Sequence, residues 1–227
     1  MKIFCIGLSR TGTQSLNKAL CLLGYSALHY PGIVSYRLGK AYFEQEIIEQ
    51  YDAFSDLTVA MFYKVLDETY ADAKFILTIR DVDEWIKSCE RLYHPNKVLN
   101  QWCDCFPPLN PFLLPVVGFL KGFRWKGLRV EKTQCNSVIK PLVRLKIFNT
   151  VTFDADKYRR AYSRHTKDVL THFSAREGKL LVMDICSGDS WEKLCPFLNK
   201  PLRQEPFPAE DPWKEQLDAR QKSSHSV

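Results

Sequence analysis

The chain has 227 residues, of which 45% are hydrophobic and 26% are charged, and this balance is typical of a globular domain with one sizeable core. Its net charge is +6, and no apolar run approaches the about 20 residues that a membrane-spanning helix needs. The first residues lack the long apolar segment of an export signal, so we expect a cytoplasmic protein. Its cysteines are scattered without a CxxC pair, which favours free thiols over disulfides or a zinc site.

Short apolar runs alternate with amphipathic segments along most of the chain, and this alternation predicts strands separated by helices. In chain order we expect a strand at 2–8, a helix at 13–25, a strand at 26–30, a helix at 37–51, a strand at 53–59, a helix at 62–70, a strand at 74–81, a helix at 82–93 with Asp83 as its N-cap, a helix at 133–147, a helix at 154–173, a strand at 179–185 and a helix that starts at a Ser/Asp cap near 190.

This order predicts an α/β fold: a three-layer, P-loop-type parallel sheet flanked by helices, in one domain over 1–200. Residues 94–150 interrupt the alternation with six prolines, several aromatic residues and a block of basic residues, and we interpret them as a lid or insertion. The tail at 201–227 is polar and rich in proline, and we expect it to be partly disordered.

Positive charge is concentrated at 118–150, which holds eight basic residues and one acid and leaves the rest of the chain nearly neutral. Such a block favours an anionic ligand or a membrane surface as the partner, and an ordinary solvated face is the alternative. The sequence contains no recognisable nucleic-acid-binding module, so nucleic acid is not an expected partner.

The segment GLSRTGTQS, which joins the first strand to the first helix, has the form of a phosphate-binding loop. Gly7 and Gly12 have the spacing of an ATP-binding loop, but Thr13 and Gln14 replace the lysine and the magnesium-binding hydroxyl that follow in that loop. The cation comes earlier, at Arg10, so the loop suits a phosphate better than metal-dependent ATP chemistry. We expect the backbone N–H groups, the hydroxyls and the arginine of this loop to bind an anion. The residues concerned are Arg10, Thr11, Gly12, Thr13, Gln14 and Ser15.

Two further motifs complete a recognisable set. The strand at 74–81 ends at Arg80, in FILTIRDVDEWIKS, and Ser88 follows eight residues later. Near the C-terminus stands SGDSWEKLCPFLN. Together with SRTGTQS, these motifs resemble the sulfotransferases that use 3′-phosphoadenylyl sulfate (PAPS), in particular a branch of small cytosolic-type enzymes. Ser9 and Ser190 depart from the proline and glycine that this family usually has at those places.

The resemblance implies that SRTGTQS binds the 5′-phosphosulfate end of PAPS and that Arg80 and Ser88 bind its 3′-phosphate. It implies that Gly188 and Asp189 shape the wall around the nucleotide. It also implies a reaction without a metal that leaves adenosine 3′,5′-bisphosphate (PAP) as the product.

The sequence offers several candidates for the catalytic base. FSDLTVAMFYK aligns Asp56 with the catalytic acid of the same family branch, although Thr58 replaces a proline there. Nearby apolar residues would desolvate this carboxylate. The alternatives are that Asp56 only caps a helix, or that His29 or His94 is the base. Arg10 is the expected stabiliser of the charge on the leaving group.

The acceptor is open at this stage: a hydroxyl or amine of an anionic or apolar small molecule, with membrane contact through 118–150 as a further option. Two other functions fit part of the pattern. A nucleotide or small-molecule kinase shares the loop and the sheet but would prefer ATP and magnesium. A non-catalytic protein would bind PAP without turnover.

Overall fold

The structure, a computed structural model, describes residues 1–37, 40–93 and 139–209. Five parallel strands form its main sheet in the order β2-β5-β1-β6-β7, and two antiparallel strands form a separate hairpin, β3-β4. The strands are β1 (Ile3–Cys5), β2 (Ala27–His29), β3 (Val34–Arg37), β4 (Lys40–Phe43), β5 (Ala53–Ser55), β6 (Lys74–Thr78) and β7 (Leu180–Met183). The α/β fold with a parallel sheet, predicted from the alternating pattern, is confirmed.

Helices cover both faces of this sheet. Within the described residues they are α1 (Thr13–Leu22), α2 (Gln45–Gln50), α3 (Leu57–Ala60), α4 (Tyr63–Thr69), α5 (Val82–Tyr93), α6 (Ile139–Phe148), α7 (Ala155–Phe173) and α8 (Trp191–Phe197), with a 3₁₀ turn at Ile185–Ser187. In this part of the chain, no helix combines the length and the apolar character that crossing a bilayer requires.

The central strand β1 explains why the fold has three layers. All three of its side chains are fully buried, because a parallel sheet covered on both faces excludes water from each side of the strand. Phe4 packs into the core shared with α5 and α7, whereas Ile3 and Cys5 face the opposite core, which α1 and α8 cover. The continuous apolar run in the sequence is therefore the signature of this central position.

An aromatic cluster fastens α5, α6 and α7 to one another on the first of these faces. The rings of Phe148 and Tyr158 stack with their centroids 4.0 Å apart. Trp85 packs against Tyr162 at 4.8 Å, and Tyr93 against Tyr158 at 5.7 Å. Such rings bury large apolar areas and add orientation-dependent attraction, so these helices form a rigid wall beside the sheet.

Three predictions of local structure are wrong. The helix expected at 37–51 is a hairpin followed by the short helix α2. The strand expected at 53–59 ends at Ser55, because Asp56 turns the chain and α3 follows. Asp81, rather than Asp83, caps α5: its Oδ1 accepts from the N–H groups of residues 83 and 84, each at 3.0 Å.

Other predictions are refined or stay predictions. Ser190 does precede α8, but its hydroxyl donates to Glu192 and makes no capping bond. The helix predicted at 133–147 is described as α6, and the rest of the proposed insertion, 94–138, lies outside the described residues. Of the C-terminal tail, 201–209 is described, and there Phe207 packs on Trp191. Cys5, Cys21, Cys89, Cys186 and Cys195 are free thiols.

His165, on α7, ties that helix to the end of β1. Its Nε2 lies 2.7 Å from the carbonyl oxygen of Ile6, to which it donates, and its ring meets Tyr63 edge-on. Burial lowers the pKa of His165. The folded protein therefore favours the neutral ring, and protonation opposes folding.

This gives a pH prediction for stability. Because the pKa of His165 is lower in the folded protein than its unfolded value of about 6.5, its contribution is complete above that pH and is lost as the pH falls. We expect the unfolding free energy to fall between pH 7.5 and pH 5.5, and to fall less in His165→Gln. Urea denaturation at both pH values measures the difference. His172, whose pKa burial also lowers, leaves a residual slope, whereas an unchanged slope in the variant would contradict the assignment.

Candidate active site at the carboxyl ends of the strands

The connections that follow β1, β2, β5 and β6 meet at one edge of the sheet, since parallel strands end on the same side. Three non-glycine residues at this edge have a positive φ: Arg10 at 72°, Tyr30 at 52° and Asp56 at 87°. Such conformations cost free energy and persist only where the surrounding contacts impose them, and they concentrate at functional sites. This edge of the sheet is therefore the candidate active site.

The loop after β1 is held close to β6. A Cβ on Gly7 would lie 1.9 Å from Oγ1 of Thr78 and 2.8 Å from its carbonyl oxygen, so only glycine fits there. Gly12, with φ of 88°, is the N-cap of α1. The N-cap makes no side-chain hydrogen bond and the first turn has no acidic residue, so this helix start has the form of an anion-binding site.

Asp56 joins this loop to β5. Its side chain is 4% exposed, and its carboxylate accepts hydrogen bonds from the Ser9 hydroxyl, from the Thr13 hydroxyl at 3.0 Å and from the Leu57 N–H at 2.6 Å. The last bond is the helix-capping contact that the sequence offered as an alternative role. Asp56 therefore caps α3 and also places a buried carboxylate against the loop after β1.

His29 lies at the open side of this carboxylate. Its Nε2 is 3.3 Å from Oδ2 of Asp56, and its side chain is 24% exposed. The other ring nitrogen, Nδ1, is 2.9 Å from the hydroxyl of Ser55, which itself donates to Asn17 at 3.2 Å. With its own hydrogen directed to Asn17, the Ser55 hydroxyl accepts from Nδ1–H. When the ring is neutral, Nε2 of His29 and Oδ2 of Asp56 are therefore both hydrogen-bond acceptors. A proton between them would give each acceptor a hydrogen bond.

The two arginines of the sequence motifs meet across the loop. Nη1 of Arg80 donates to the carbonyl oxygen of Arg10 at 3.3 Å, and Nε of Arg10 donates to the Ser88 hydroxyl at 2.9 Å. Nε of Arg80 is buried and has no partner among the described residues. Two guanidinium groups and a serine therefore meet beside the start of α1, and we call this cluster the basic wall.

Comparison with known proteins agrees with this geometry. Residues 2–215 match the family described as "Sulfotransferase domain". The chain belongs to that family. It is also 22% identical to Ava biosynthesis cluster protein M of Aspergillus versicolor, over an alignment of 232 positions that spans 92% of this chain and 80% of the other. Family membership supports sulfotransferase activity in general, and it leaves the donor and the acceptor open.

Several residues that support this sulfotransferase site carried no motif of their own. The Tyr162 hydroxyl donates to the carbonyl oxygen of Arg80 at 2.7 Å and lies 2.9 Å from the Arg80 N–H, and so fixes the end of β6. Trp85 donates from its indole nitrogen to the Ser9 carbonyl at 2.8 Å. The sequence pattern places both residues on the inward faces of α5 and α7, where aromatic residues usually belong to the core. For that reason the sequence did not indicate that the Tyr162 hydroxyl and the Trp85 indole N–H bind the backbone of the site.

The turn after β7 forms the remaining wall. Asp189 accepts from the Asp184 N–H at 2.7 Å and pairs with Lys193 at 2.7 Å, and Gly188 has a φ of 109°. Burial raises the pKa of the Cys186 thiol in this turn, against the opposite effect of the Arg80 and Arg10 guanidinium groups. The predicted wall residues therefore shape a turn beside the basic wall, and the carboxylate of Asp189 is used inside that turn.

The loop hydroxyls have different partners from those that the sequence suggested. Thr11 donates to the Leu8 carbonyl at 2.6 Å, and Thr13 donates to Asp56, so both hydroxyl hydrogens are used within the protein. For Thr13 the backbone N–H remains as the donor towards an anion. His94, the other histidine considered as a base, lies outside the described residues. The described part of the chain contains no group of three or more His, Cys, Asp or Glu side chains arranged to hold a metal ion.

The approach of the loop to β6 predicts the effect of a single methyl group. We expect Gly7→Ala to lower the unfolding free energy by about 1–3 kcal/mol, because the new Cβ displaces the backbone at Thr78. Gly24→Ala is the matched control: Gly24 has a positive φ but open space around it, so its cost is about 1 kcal/mol and is confined to the turn. Chemical denaturation of both variants measures the difference, and equal losses would contradict the close approach.

Proposed function

We propose that this protein transfers the sulfuryl group of PAPS to a hydroxyl or amine of a small-molecule acceptor by in-line displacement. The observation that carries the proposal is the contact between the loop and the strand-end arginine, in which Nη1 of Arg80 lies 3.3 Å from the Arg10 carbonyl. This contact brings a site for one phosphate beside a site for another. Such a pair suits a nucleotide that is phosphorylated at both its 5′ and 3′ positions.

The residues present fit this donor. At the 5′ end, the uncapped start of α1 offers backbone N–H groups and the positive end of the helix dipole. At the 3′ end, the planar guanidinium of Arg80 offers donors in a fixed fork, and its buried Nε lacks a partner among the described residues. A buried donor without a partner is costly, and a phosphate oxygen would supply the missing acceptor.

When bound, PAPS supplies an activated sulfuryl group with a phosphate as its leaving group. The acceptor oxygen or nitrogen forms a bond to sulfur while the bond from sulfur to the 5′-phosphate oxygen breaks, and PAP departs. Arg10 contributes positive charge near the leaving phosphate, which preorganised cations stabilise in a water-poor site.

The acceptor must lose its proton, and we assign Asp56 as the base with His29 as its hydrogen-bonded neighbour. The contact of 3.3 Å between Oδ2 and Nε2 has room for one additional proton between two acceptors. Three protein donors already bind the carboxylate, and they hold it in place. His29 is the more exposed of the two and faces the side from which an acceptor would enter.

A titration with two nucleotides tests the donor. We expect calorimetry to show tighter binding of PAP than of ATP with magnesium, and Arg80→Ala to weaken PAP binding about tenfold to a hundredfold, since a charge-assisted hydrogen bond is lost. Arg159→Ala is the control: this arginine pairs with Asp83 on the surface, and PAP affinity should not change. A preference for ATP would instead support a kinase.

Replacement of the base tests the chemistry. We expect Asp56→Asn to bind PAP within about twofold of the wild type and to lose transfer by a factor of about 100 or more, which is typical of a missing general base. The control is Asp52→Asn, just before β5, where the side chain accepts hydrogen bonds from the N–H and the hydroxyl of Ser26 and activity should persist. Sulfate transfer to a panel of phenols and amines is measured. Retained transfer in Asp56→Asn would assign the base to another residue, whereas intact PAP binding without any wild-type transfer would favour a non-catalytic protein.

A further inference from the structure

Helix α6 places two basic residues beside the catalytic pair of the proposed function. The helix packs against α3, which follows Asp56 directly, and against β3 and α7. Lys140 and Arg144 are four residues apart and therefore lie on the same side of α6. They belong to the basic block at 118–150 of the sequence, and in the structure this part of the block lies next to α3.

Arg144 is buried from water and pairs with no carboxylate among the described residues. It is 5% exposed, and its Nε is buried without a hydrogen-bond partner among the described residues. No ion pair to Arg144 is formed within that part of the chain. Its guanidinium carbon lies 5.3 Å from the ring centroid of Tyr93, a cation–π contact that offsets only part of the lost hydration. A buried charge of this kind calls for an anion.

The contacts of Tyr93 lead from Arg144 to the catalytic pair. Burial raises the pKa of the Tyr93 phenol, and the negative charge of Asp56 acts in the same direction. Tyr93 thus lies against the guanidinium of Arg144 and within the field of Asp56, and α6 itself packs against the helix that begins at Leu57. Arg144 is therefore placed close to the carboxylate that we assign as the base.

Lys140 extends this positive charge to the entrance of the site. Its ammonium lies 5.5 Å from the ring centroid of Tyr30, the residue that follows His29. Tyr30 is one of the residues with a positive φ, and its N–H donates to the Ser55 carbonyl at 2.9 Å, so its position beside the catalytic pair is fixed. Lys140 is exposed, in contrast to Arg144. The same side of α6 therefore carries one exposed cation and one buried cation.

We propose that Arg144 and Lys140 bind an anionic group of the acceptor, so that this enzyme sulfates small molecules that carry a carboxylate, sulfate or phosphate beside the hydroxyl or amine that reacts. The inference rests on the proposed function for the reaction itself. Arg144 binds the anion in the interior, and Lys140 attracts it at the entrance. The acceptor hydroxyl then lies towards Asp56 and His29, on the far side of Tyr93.

Paired phenols test this assignment without knowledge of the natural acceptor. Calorimetry compares 4-hydroxybenzoate with 4-hydroxybenzamide, and 3-(4-hydroxyphenyl)propionate with its amide, each with and without saturating PAP. The members of a pair differ in charge and hardly in shape. We expect the wild type to bind the better carboxylate at least about tenfold more tightly than its amide, the usual effect of a hydrogen bond to a charged group.

The variants separate recognition from folding. Arg144→Met keeps the length of the side chain and removes the charge, and it should reduce the carboxylate preference to within about twofold while PAP affinity is unchanged. Arg144→Lys should retain part of the preference. Lys146→Gln, at an exposed position of the same helix, should retain all of it. If Arg144→Met does not fold, the exposed Lys140→Gln provides the same comparison and should reduce the preference severalfold.

The outcomes also distinguish this inference from the proposed function. Equal binding of carboxylate and amide by the wild type, or no binding of either, overturns the acceptor assignment even if PAP binds tightly. A preference that survives both Arg144→Met and Lys140→Gln overturns it as well. Loss of PAP binding by the wild type counts against the proposed function alone, because the carboxylate preference is measured independently without PAP.

Discussion

The hydrogen bonds to the carboxylate of Asp56 are the contacts on which the rest of this site depends. This carboxylate receives the hydroxyls of Ser9 and Thr13 from the loop after β1 and the N–H of Leu57 from the start of α3. A buried carboxylate without such donors would cost several kcal/mol. Because three donors converge on it, the loop, the strand end and the helix are fixed relative to one another. The positive φ of Asp56, at 87°, is tolerated because these bonds outweigh the strain.

The parallel sheet explains why the other functional groups gather around this carboxylate. β1 lies between β5 and β6, so the loop after β1 contacts Asp56 on one side and Arg80 on the other. On the Asp56 side the loop carries hydroxyls, and on the Arg80 side it presents a carbonyl and the side chain of Arg10. The loop at 7–15 thus separates the carboxylate that we assign as the base from the groups that we propose to bind phosphate. The proposed in-line transfer would use this separation, because its attacking and leaving groups lie on opposite sides of the sulfur.

Ser9 is the residue at which this chain departs most informatively from its family pattern. The family usually has proline at this place, which supplies a rigid turn but no hydrogen-bond donor. Here the serine hydroxyl binds Asp56, and its carbonyl accepts from Trp85. These two hydrogen bonds therefore hold the loop in the place of a rigid proline turn. This departure does not weaken the loop, and it orients the carboxylate that we assign as the base.

The sequence predicted those parts of the fold that depend on local patterns. The buried run at β1, the glycine-framed loop and the amphipathic stripe of α7 each have a period or a composition that determines one structure. The error at 37–51 has a physical cause: VSYR and KAYF are β-branched and aromatic segments around Leu38 and Gly39, a pattern that also suits a hairpin, and the charged residues that follow suggested one long helix. The cap of α5 at Asp81 instead of Asp83 reflects two aspartates within one turn, between which the sequence offers no choice.

The contacts that define the acceptor side could not be predicted in this way, because none of them is local. Arg144 meets Tyr93 only when α5 and α6 pack together, and Lys140 meets Tyr30 only when α6 lies beside the end of β2. In the sequence Arg144 is one of several basic residues in a block that equally suits a solvated surface. Burial is what makes it distinct, since a solvated arginine attracts any anion weakly, whereas a desolvated one selects an anion of the right position and shape. The proposed nucleotide side of the site rests on the motifs that resemble the sulfotransferases, whereas the proposed selectivity among acceptors arises from tertiary contacts such as this one.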